Sequence, residues 1–182
     1  MSSILKVDTI QNTGGTTGVS IDNNGVVNLS NTVMYDMYRL TTDVGSNGTL
    51  TDWEKPDNTL HTTVGDSMSV SSGIFTFPRT GVYRVNFHAV ISTASADSLA
   101  AVQLEGTTDN SSYSILNYAR EGGSSDLDYG TASGESIVNI NDLTNRKIRL
   151  AANSVSIGTL INGNTSQNET TITFQWLAPA QS

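Results

Sequence analysis

Two carboxylates alternate in the segment from residue 126 to residue 130, which reads Asp-Leu-Asp-Tyr-Gly. Alternating acidic side chains beside a glycine are typical of the first half of a calcium loop, because Ca²⁺ takes oxygen ligands. The acid that completes such a loop as a bidentate ligand is missing at the required offset. Asp126 and Asp128 are therefore an incomplete calcium site, and solvated surface carboxylates are the alternative interpretation.

Four aromatic side chains lie in or beside segments rich in Ser, Thr, Asn and Gly; they are Trp53, Tyr113, Tyr118 and Tyr129. An aromatic face with neighbouring hydroxyl and amide groups can bind a saccharide through stacking and directional hydrogen bonds. In the alternative, Trp53 covers the core and the tyrosines fill an interface between protomers, where Tyr and Trp are enriched. The sequence favours the second interpretation and leaves both open.

The residue types needed for catalysis are scarce. His61 and His88 are the two histidines, and neither has partners at a spacing typical of a metal site or a catalytic pair. The chain contains no Gly-x-Ser-x-Gly elbow, no phosphate loop and no His-Glu-x-x-His motif. We therefore expect no enzymatic activity and no cofactor. A polysaccharide depolymerase stays open as an alternative, because a pair of acids need not be close in sequence.

Alternation of apolar and polar residues predicts the strands that must position these side chains. In the segment from residue 82 to residue 91, one face carries Tyr83, Val85, Phe87, Ala89 and Ile91. Such a period of two indicates a strand with one side on a core. Near the end of the chain Ile172, Phe174 and Trp176 repeat the pattern. Further strands are predicted at Met68–Phe77, Leu99–Glu105, Ser114–Ala119, Ser136–Ile140, Lys147–Ala151 and Val155–Ile161.

Turn residues separate these strands, among them Pro78-Arg-Thr-Gly81, Glu105-Gly106 and Asn162-Gly163-Asn164. Strands that recur at short intervals, without helical segments between them, indicate an all-β antiparallel sandwich or barrel. Ser, Thr, Asn and Gly supply 80 of the 182 residues, and Cys is absent. This composition excludes a mostly helical protein and a disulfide framework.

Charge and hydropathy exclude further classes. Nine Lys and Arg stand against 17 Asp and Glu, a net charge of −8, and no basic run occurs. Binding to nucleic acid or to an anionic membrane surface needs clustered cations, so we expect neither. No apolar run reaches the length of a membrane span, and Lys6 and Asp8 interrupt the place of a secretory core. We expect no membrane insertion and no export signal.

One central segment resembles the globular head of complement component one q, which is related to the tumour necrosis factor head. The matching positions are Gly73, Phe75, Phe77, Pro78, Gly81, Tyr83 and Phe87. The terminal run from Phe174 to Pro179 is similar to the family's closing strand, which lies beside the first strand of the head. The resemblance implies a jelly-roll head that forms a homotrimer. Some heads of this family also carry calcium near the trimer axis.

Residues 1–31 differ from the rest of the chain and are predicted to be a β arm, followed by a jelly-roll head over residues 32–182. The run Ser3-Ile-Leu-Lys-Val-Asp-Thr-Ile10 and the following Gly15-Thr-Thr-Gly18 resemble N-termini of virion proteins from tailed bacteriophages, especially marine and cyanobacterial ones. Short strands here are too few to bury a core alone, so they must pair with a partner. The apolar docking residues are Ile4, Leu5, Val7 and Ile10.

The two resemblances together imply a bacteriophage virion structural protein, assembled in the host cytoplasm and located in the virion. The first hypothesis is a homotrimeric tail fibre or appendage knob, whose arm docks onto another virion protein and whose head contacts host surface polysaccharide. The alternative is a trimeric capsid decoration protein that stabilises the phage head. Since no long stalk is predicted between arm and head, the sequence suits the alternative or a short appendage.

Overall fold

The computed structural model describes most of the chain, namely residues 9–11, 13–14, 17–29, 33–93, 99–123 and 128–182. It divides the chain into two compact units, Met1–Val33 and Met34–Ser182. The boundary predicted after residue 31 falls just before this division. Predictions on four residues stay predictions because these residues lie outside the described ranges: Ile4, Leu5, Val7 and Asp126.

The smaller unit contains three antiparallel strands in the order of the chain, namely β1 (Thr9–Gln11), β2 (Thr17–Ile21) and β3 (Val27–Leu29). Asp22 holds the turn between the last two strands, because its Oδ1 accepts the backbone N–H groups of Asn24 at 2.9 Å and Val26 at 2.8 Å. Gly25 closes the turn with φ at +80°, a conformation that favours glycine. The described residues of the predicted β arm thus form strands.

Four apolar side chains among the described residues of this small unit are exposed to solvent. Ile10 and Val27 are each 56 % exposed, and Ile21 and Val26 are 42 % and 53 % exposed. The three short strands offer too little area for a core of their own. The described part of the unit therefore presents apolar groups without burying them.

The larger unit is built from strands throughout its described residues. They are β4 (Tyr35–Leu40), β5 (Gly48–Thr49), β6 (Trp53–Glu54), β7 (Ser69–Ser71), β8 (Ile74–Thr76), β9 (Gly81–Thr93), β10 (Ala100–Thr107), β11 (Tyr113–Glu121), β12 (Asp128–Ile140), β13 (Lys147–Asn153), β14 (Leu160–Ile161) and β15 (Thr171–Ala178). No helix occurs in the ranges that the structure describes, and so none there could span a membrane.

These strands form two antiparallel sheets that face each other. One has the order β11-β10-β13-β8-β7, with β5 beside β13. The other has the order β12-β9-β15-β4-β6, with β14 beside β9. The closing strand β15 lies between β9 and β4, as the family resemblance implies. The architecture confirms the predicted antiparallel jelly-roll sandwich.

Strand β9 buries the residues that the sequence pattern assigns to its inner face. Tyr83, Val85, Phe87, Ala89 and Ile91 are all buried, at 3 % exposure or less. The residues between them on β9 are half-buried or exposed, because successive side chains of a strand point to opposite faces.

Aromatic rings join the two sheets at the centre of the core. Phe75 on β8 lies 5.1 Å from Phe174 on β15 between ring centroids, and Phe77 lies 6.0 Å from the same ring. Phe77 is also 4.6 Å from Tyr83. Pairs at these tilted and edge-to-face angles are favourable beyond the area that they bury. All four rings are buried, and for Tyr83 and Phe174 this confirms the positions predicted from the alternation.

Three details of the strand prediction are wrong. The run from residue 68 to residue 77 is two strands, because Ser72 and Gly73 turn the chain with positive φ angles of 49° and 77°. Only Leu160 and Ile161 form a strand within residues 155–161. Gly106 lies inside β10 rather than in a turn. A Cβ at this position would lie 2.8 Å from Leu116 Cδ1, so glycine leaves room there for the Leu116 side chain.

Strand β4 has no clear apolar alternation because it buries two charged side chains. Arg39 is 1 % exposed and donates from Nε and Nη2 to Glu54 Oε1 at 2.8 and 2.7 Å. Its Nη2 also donates to Asp57 Oδ1 at 2.8 Å and to the backbone carbonyl of Thr165. Asp36 is fully buried on the same strand. A buried charge is tolerated when it is paired and hydrogen-bonded, and both residues meet that condition.

Candidate functional site

The four aromatic residues predicted to face a saccharide do not form one site. Trp53 is half-buried on β6, and its ring lies 5.6 Å from Phe75 in an edge-to-face contact. Its Nε1–H donates to the Leu50 carbonyl at 2.7 Å. Trp53 therefore covers the core, as the alternative interpretation holds, because its ring packs inward and its polar atom is satisfied.

Tyr113 and Tyr118 lie on β11, opposite polar residues of β10. Each ring stacks under a guanidinium group: Arg149 lies 3.9 Å from the Tyr113 centroid and Arg120 lies 4.8 Å from the Tyr118 centroid. Arg149 is also paired with Glu105 at 2.6 Å. Both rings are half-buried, so one face of each tyrosine is already in contact with an arginine.

Tyr129 belongs to β12 in the other sheet and is 68 % exposed. The aromatics are thus divided between the core and two separate surfaces, and no shared platform exists among the four. Tyr129 is the single member of the set that offers an open ring to a partner.

The predicted calcium pair is described only in part. Asp128 begins β12 and pairs with Thr93 of β9, whereas its predicted companion lies outside the described residues. Within the described ranges, no group of three His, Asp or Glu side chains gathers in a way that could hold a metal ion. One described carboxylate does not make a calcium site, and the calcium pair stays a prediction because Asp126 lies outside the described residues.

Polar pairs cover the outer face of the second sheet. Arg84 Nε donates to Glu135 Oε2 at 2.7 Å between β9 and β12. His88 Nδ1 and Ser133 Oγ are 3.1 Å apart further along the same pair of strands. His88 therefore lies on the outer face of β9, between the inward residues Phe87 and Ala89. Exposed apolar side chains flank this polar strip, with Ile137 56 %, Leu177 44 % and Tyr35 40 % exposed.

A cavity of about 310 Å³, which we call the loop cavity, opens where the β10–β11 hairpin meets the end of β12 and the start of β13. Six of its lining residues are Gly106, Ser114, Leu116, Ile140, Arg146 and Lys147. Pockets for small molecules have volumes of roughly 300–1,000 Å³. The loop cavity is at the small end of that range.

Two loops beside the loop cavity are held by carboxylates that bond to their own backbone. Asp109 Oδ1 accepts the N–H groups of Ser112 at 2.7 Å and Ser111 at 2.9 Å, and the Thr107 hydroxyl at 2.8 Å. These bonds, led by that from Ser112, hold the pKa of Asp109 far below its ordinary value. The Asn110 N–H donates to the Asn145 carbonyl at 3.0 Å and joins this loop to the next.

The second loop follows the same scheme. Asp142 Oδ2 accepts the side-chain amide of Asn145 at 2.7 Å, and Oδ1 accepts the backbone N–H groups of Thr144 and Asn145 at 2.8 and 3.1 Å. The pKa of Asp142 is lowered chiefly by the Asn145 bonds, while the charge of Arg146 is the smallest contribution. Both carboxylates are thus committed to shaping the loops.

Two cations line the loop cavity and bond only to backbone carbonyls in the described structure. Arg146 Nη1 donates to the Asn139 carbonyl at 2.6 Å, and Lys147 Nζ donates to the Leu143 carbonyl at 2.6 Å. No carboxylate of a described residue lies within 4.0 Å of either group. The Lys147 residue as a whole is 9 % exposed.

Sequence reasoning missed the loop cavity altogether. Its lining comes from two segments, residues 106–116 and 137–148, that are distant in the sequence and meet only in the fold. The sequence signal that could have indicated the cavity is the pair of adjacent cations Arg146 and Lys147. Such a pair stands out in a chain that has only nine Lys and Arg residues.

Comparison with known proteins finds a likeness in structure alone. No protein-family model and no curated protein matches the chain. Among solved structures, the Eiger TNF of S. frugiperda is 14 % identical with a TM-score of 0.62, covering 82 % of this chain and 96 % of that one. Murine APRIL at pH 5.0 is 10 % identical with a TM-score of 0.57, covering 80 % of this chain and 99 % of that one.

Identities this low carry information on the fold and not on the activity. The structural likenesses agree with the two sheets described above and with the sequence resemblance to the complement and tumour necrosis factor heads. This chain has a tumour necrosis factor type of jelly-roll fold.

Proposed function

We propose that this protein is a non-enzymatic structural protein of a bacteriophage virion. It acts as a homotrimeric appendage head or tail-fibre knob that docks to the particle through residues 1–31. The observation that carries the proposal is the contrast between the two units. A small β unit exposes Ile10, Ile21, Val26 and Val27, while the compact head that follows it in sequence buries its core. Strands of this kind gain stability by adding to the sheet of a partner.

The trimer is supported by the outer face of the sheet that contains β9 and β12. Exposed Ile137, Leu177 and Tyr35 flank its polar strip, and burial of each such side chain on association contributes roughly 25 cal/mol per Å² of apolar area. A closed ring of three copies would cover these groups in every subunit. The solved structures of the tumour necrosis factor type have the same jelly-roll fold, and it is for this fold that we propose the ring of three copies.

Host surface polysaccharide is the proposed partner of the head. Exposed Tyr129 and the hydroxyl-rich strands around it offer stacking and directional hydrogen bonds. Saccharide binding of this kind needs no turnover, so the proposal includes no catalytic residue and no metal.

The trimer is tested by light scattering coupled to size-exclusion chromatography. We expect a molar mass three times the 19.3 kDa of one chain at micromolar concentration. A stable monomer under those conditions would contradict the proposal, because the exposed apolar residues would then need no partner copy.

A second candidate function is capsid decoration. Only residues 30–34 lie between the end of β3 at Leu29 and the start of β4 at Tyr35, which is too short a stretch of sequence for a long stalk. A trimer clamped onto the shell needs no stalk. Phage that carry a deletion of residues 2–30 distinguish the two roles: loss of adsorption supports the appendage, and loss of shell stability supports decoration.

A further inference from the structure

The loop cavity holds more hydrogen-bond donors than its surroundings satisfy. An ammonium group has three N–H donors and a guanidinium has five. In the described structure Lys147 uses one donor on the Leu143 carbonyl, and Arg146 uses one on the Asn139 carbonyl. The remaining donors of both side chains meet no acceptor among the described residues, so an anionic oxygen in the loop cavity would gain charge-assisted hydrogen bonds from them.

The neighbouring carboxylates do not fill this need. Asp109 and Asp142 bond to backbone and side-chain groups of their own loops, and the ion pairs among described residues include neither Arg146 nor Lys147. Their negative charges offset part of the positive charge nearby, but their oxygens are taken. An anionic ligand in the loop cavity would therefore meet two cations that no described carboxylate pairs with directly.

The rest of the lining restricts the shape of that ligand. Ser114 and Thr108 bring hydroxyl groups to the cavity, while Leu116 and Ile148 close over the bare Gly106. A wall with an aliphatic side and hydroxyl groups matches a sugar ring, which has C–H and O–H faces. The volume of about 310 Å³ suits one small ring rather than a chain of them.

We propose that the loop cavity binds one saccharide residue bearing an anionic group, a carboxylate or a sulfate ester, with Arg146 and Lys147 donating to its anionic oxygens. Charge-assisted hydrogen bonds of this kind are the strong ones, and Arg can bind such a group through two parallel N–H donors. The inference rests on the proposed function only for the choice of a saccharide as ligand, since the preference for an anion comes from the two cations themselves.

Titration of the full chain, followed by amide chemical shifts, tests the inference. The probes are galacturonic acid, galactose 6-sulfate and neutral galactose. We expect the Gly106 and Ser114 amides to shift with one or both acidic sugars, with neutral galactose binding about tenfold more weakly. The two acidic probes distinguish a carboxylate from a sulfate ester.

Two variants locate the effect. Arg146→Ala should weaken binding of the acidic sugar by about tenfold. Arg120→Ala is the matched control, because Arg120 is an exposed arginine that stacks on Tyr118 away from the loop cavity, and it should leave binding unchanged. If Arg146→Ala fails to fold, Thr108→Trp fills the exposed mouth of the loop cavity and should abolish the shifts.

Equal binding of neutral and acidic sugars would overturn the inference, and so would shifts confined to residues elsewhere or no shift up to about 10 mM ligand. These outcomes do not touch the trimer or the docking arm, which light scattering and the deletion of residues 2–30 test separately. A trimer that binds no acidic sugar would therefore leave the proposed virion role standing and remove only this site.

Discussion

Replacement of Asp36 by alanine should cost the head a large part of its stability. Asp36 is fully buried on β4. Its Oδ2 accepts the Met68 backbone N–H at 2.8 Å and the Ser67 hydroxyl at 3.2 Å, while Oδ1 accepts the Thr63 hydroxyl at 3.0 Å. Lys55 Nζ lies 3.0 Å from Oδ1. One buried carboxylate thus connects the first strand of the head to the loop that follows β6.

The magnitude follows from the groups that lose their acceptor. A hydrogen bond to a charged group contributes about 1.5–3 kcal/mol, and a buried donor left unsatisfied costs about 1–3 kcal/mol. The Met68 N–H is the buried donor here. The Lys55 side chain is 35 % exposed and can return to water, so its loss adds little. We expect Asp36→Ala to reduce the free energy of unfolding by about 3–5 kcal/mol.

Unfolding in urea, followed by circular dichroism and tryptophan fluorescence, gives this free energy. Protein concentration must be equal for all variants, because the stability of an oligomer depends on concentration. Asp52→Ala is the matched control, since Asp52 is exposed beside β6 and its removal should change the free energy by less than about 0.5 kcal/mol. A loss below about 1 kcal/mol for Asp36→Ala would refute the reasoning that this buried carboxylate satisfies several donors.

Three further predictions concern a turn, a loop and the proposed interface. Gly73→Ala should lower the melting temperature more than Gly25→Ala does: both glycines have positive φ, but only at Gly73 would a Cβ collide with a backbone atom, the Leu50 carbonyl oxygen. Acid unfolding followed by circular dichroism should show that Asp109→Asn loses less stability than wild type as the pH falls below about 4. The pKa of Asp109 is lower in the folded state than in the unfolded state, so its ionised carboxylate stabilises the wild-type fold above the unfolded-state pKa. This stabilisation disappears as the pH falls toward the folded-state pKa, and asparagine has no such titration. An identical slope for both proteins would contradict this. Leu177→Asp should convert the trimer to monomer in light scattering, since a carboxylate would replace an exposed leucine of the proposed interface.

The fold was predictable where one face of a strand is buried. The alternation names the buried residues of β9 from Tyr83 to Ile91, and in β15 it names Ile172 and Phe174. It fails at the end of β15, where Trp176 is half-buried and the register shifts before Ala178. In β4 the same period is hidden, because Asp36 and Arg39 occupy buried positions that a pattern of hydrophobicity assigns to solvent. Their partners, among them Glu54 and Met68, are distant in the chain, and sequence alone does not reveal such pairings.

The site was less predictable than the fold. Trp53 lies in a polar segment, and only its contact with Phe75 distinguishes a core ring from an open one. The loop cavity is lined by two segments that are distant in the chain. The hydrogen bond from the Asn110 N–H to the Asn145 carbonyl joins the loops of these segments. A glycine in a strand has the same local signal as a glycine in a turn, and the role of Gly106 in accommodating the Leu116 side chain is a property of packing.

The proposed virion role predicts that a phage genome encodes this chain, and electron cryomicroscopy of that phage's purified particles tests the central claim most directly. The account predicts density with threefold symmetry at a tail or appendage position, sized for three jelly-roll heads, and loss of that density when residues 2–30 are deleted. Threefold density on the capsid shell would instead support the decoration role. Particles that lack the chain altogether would contradict the account.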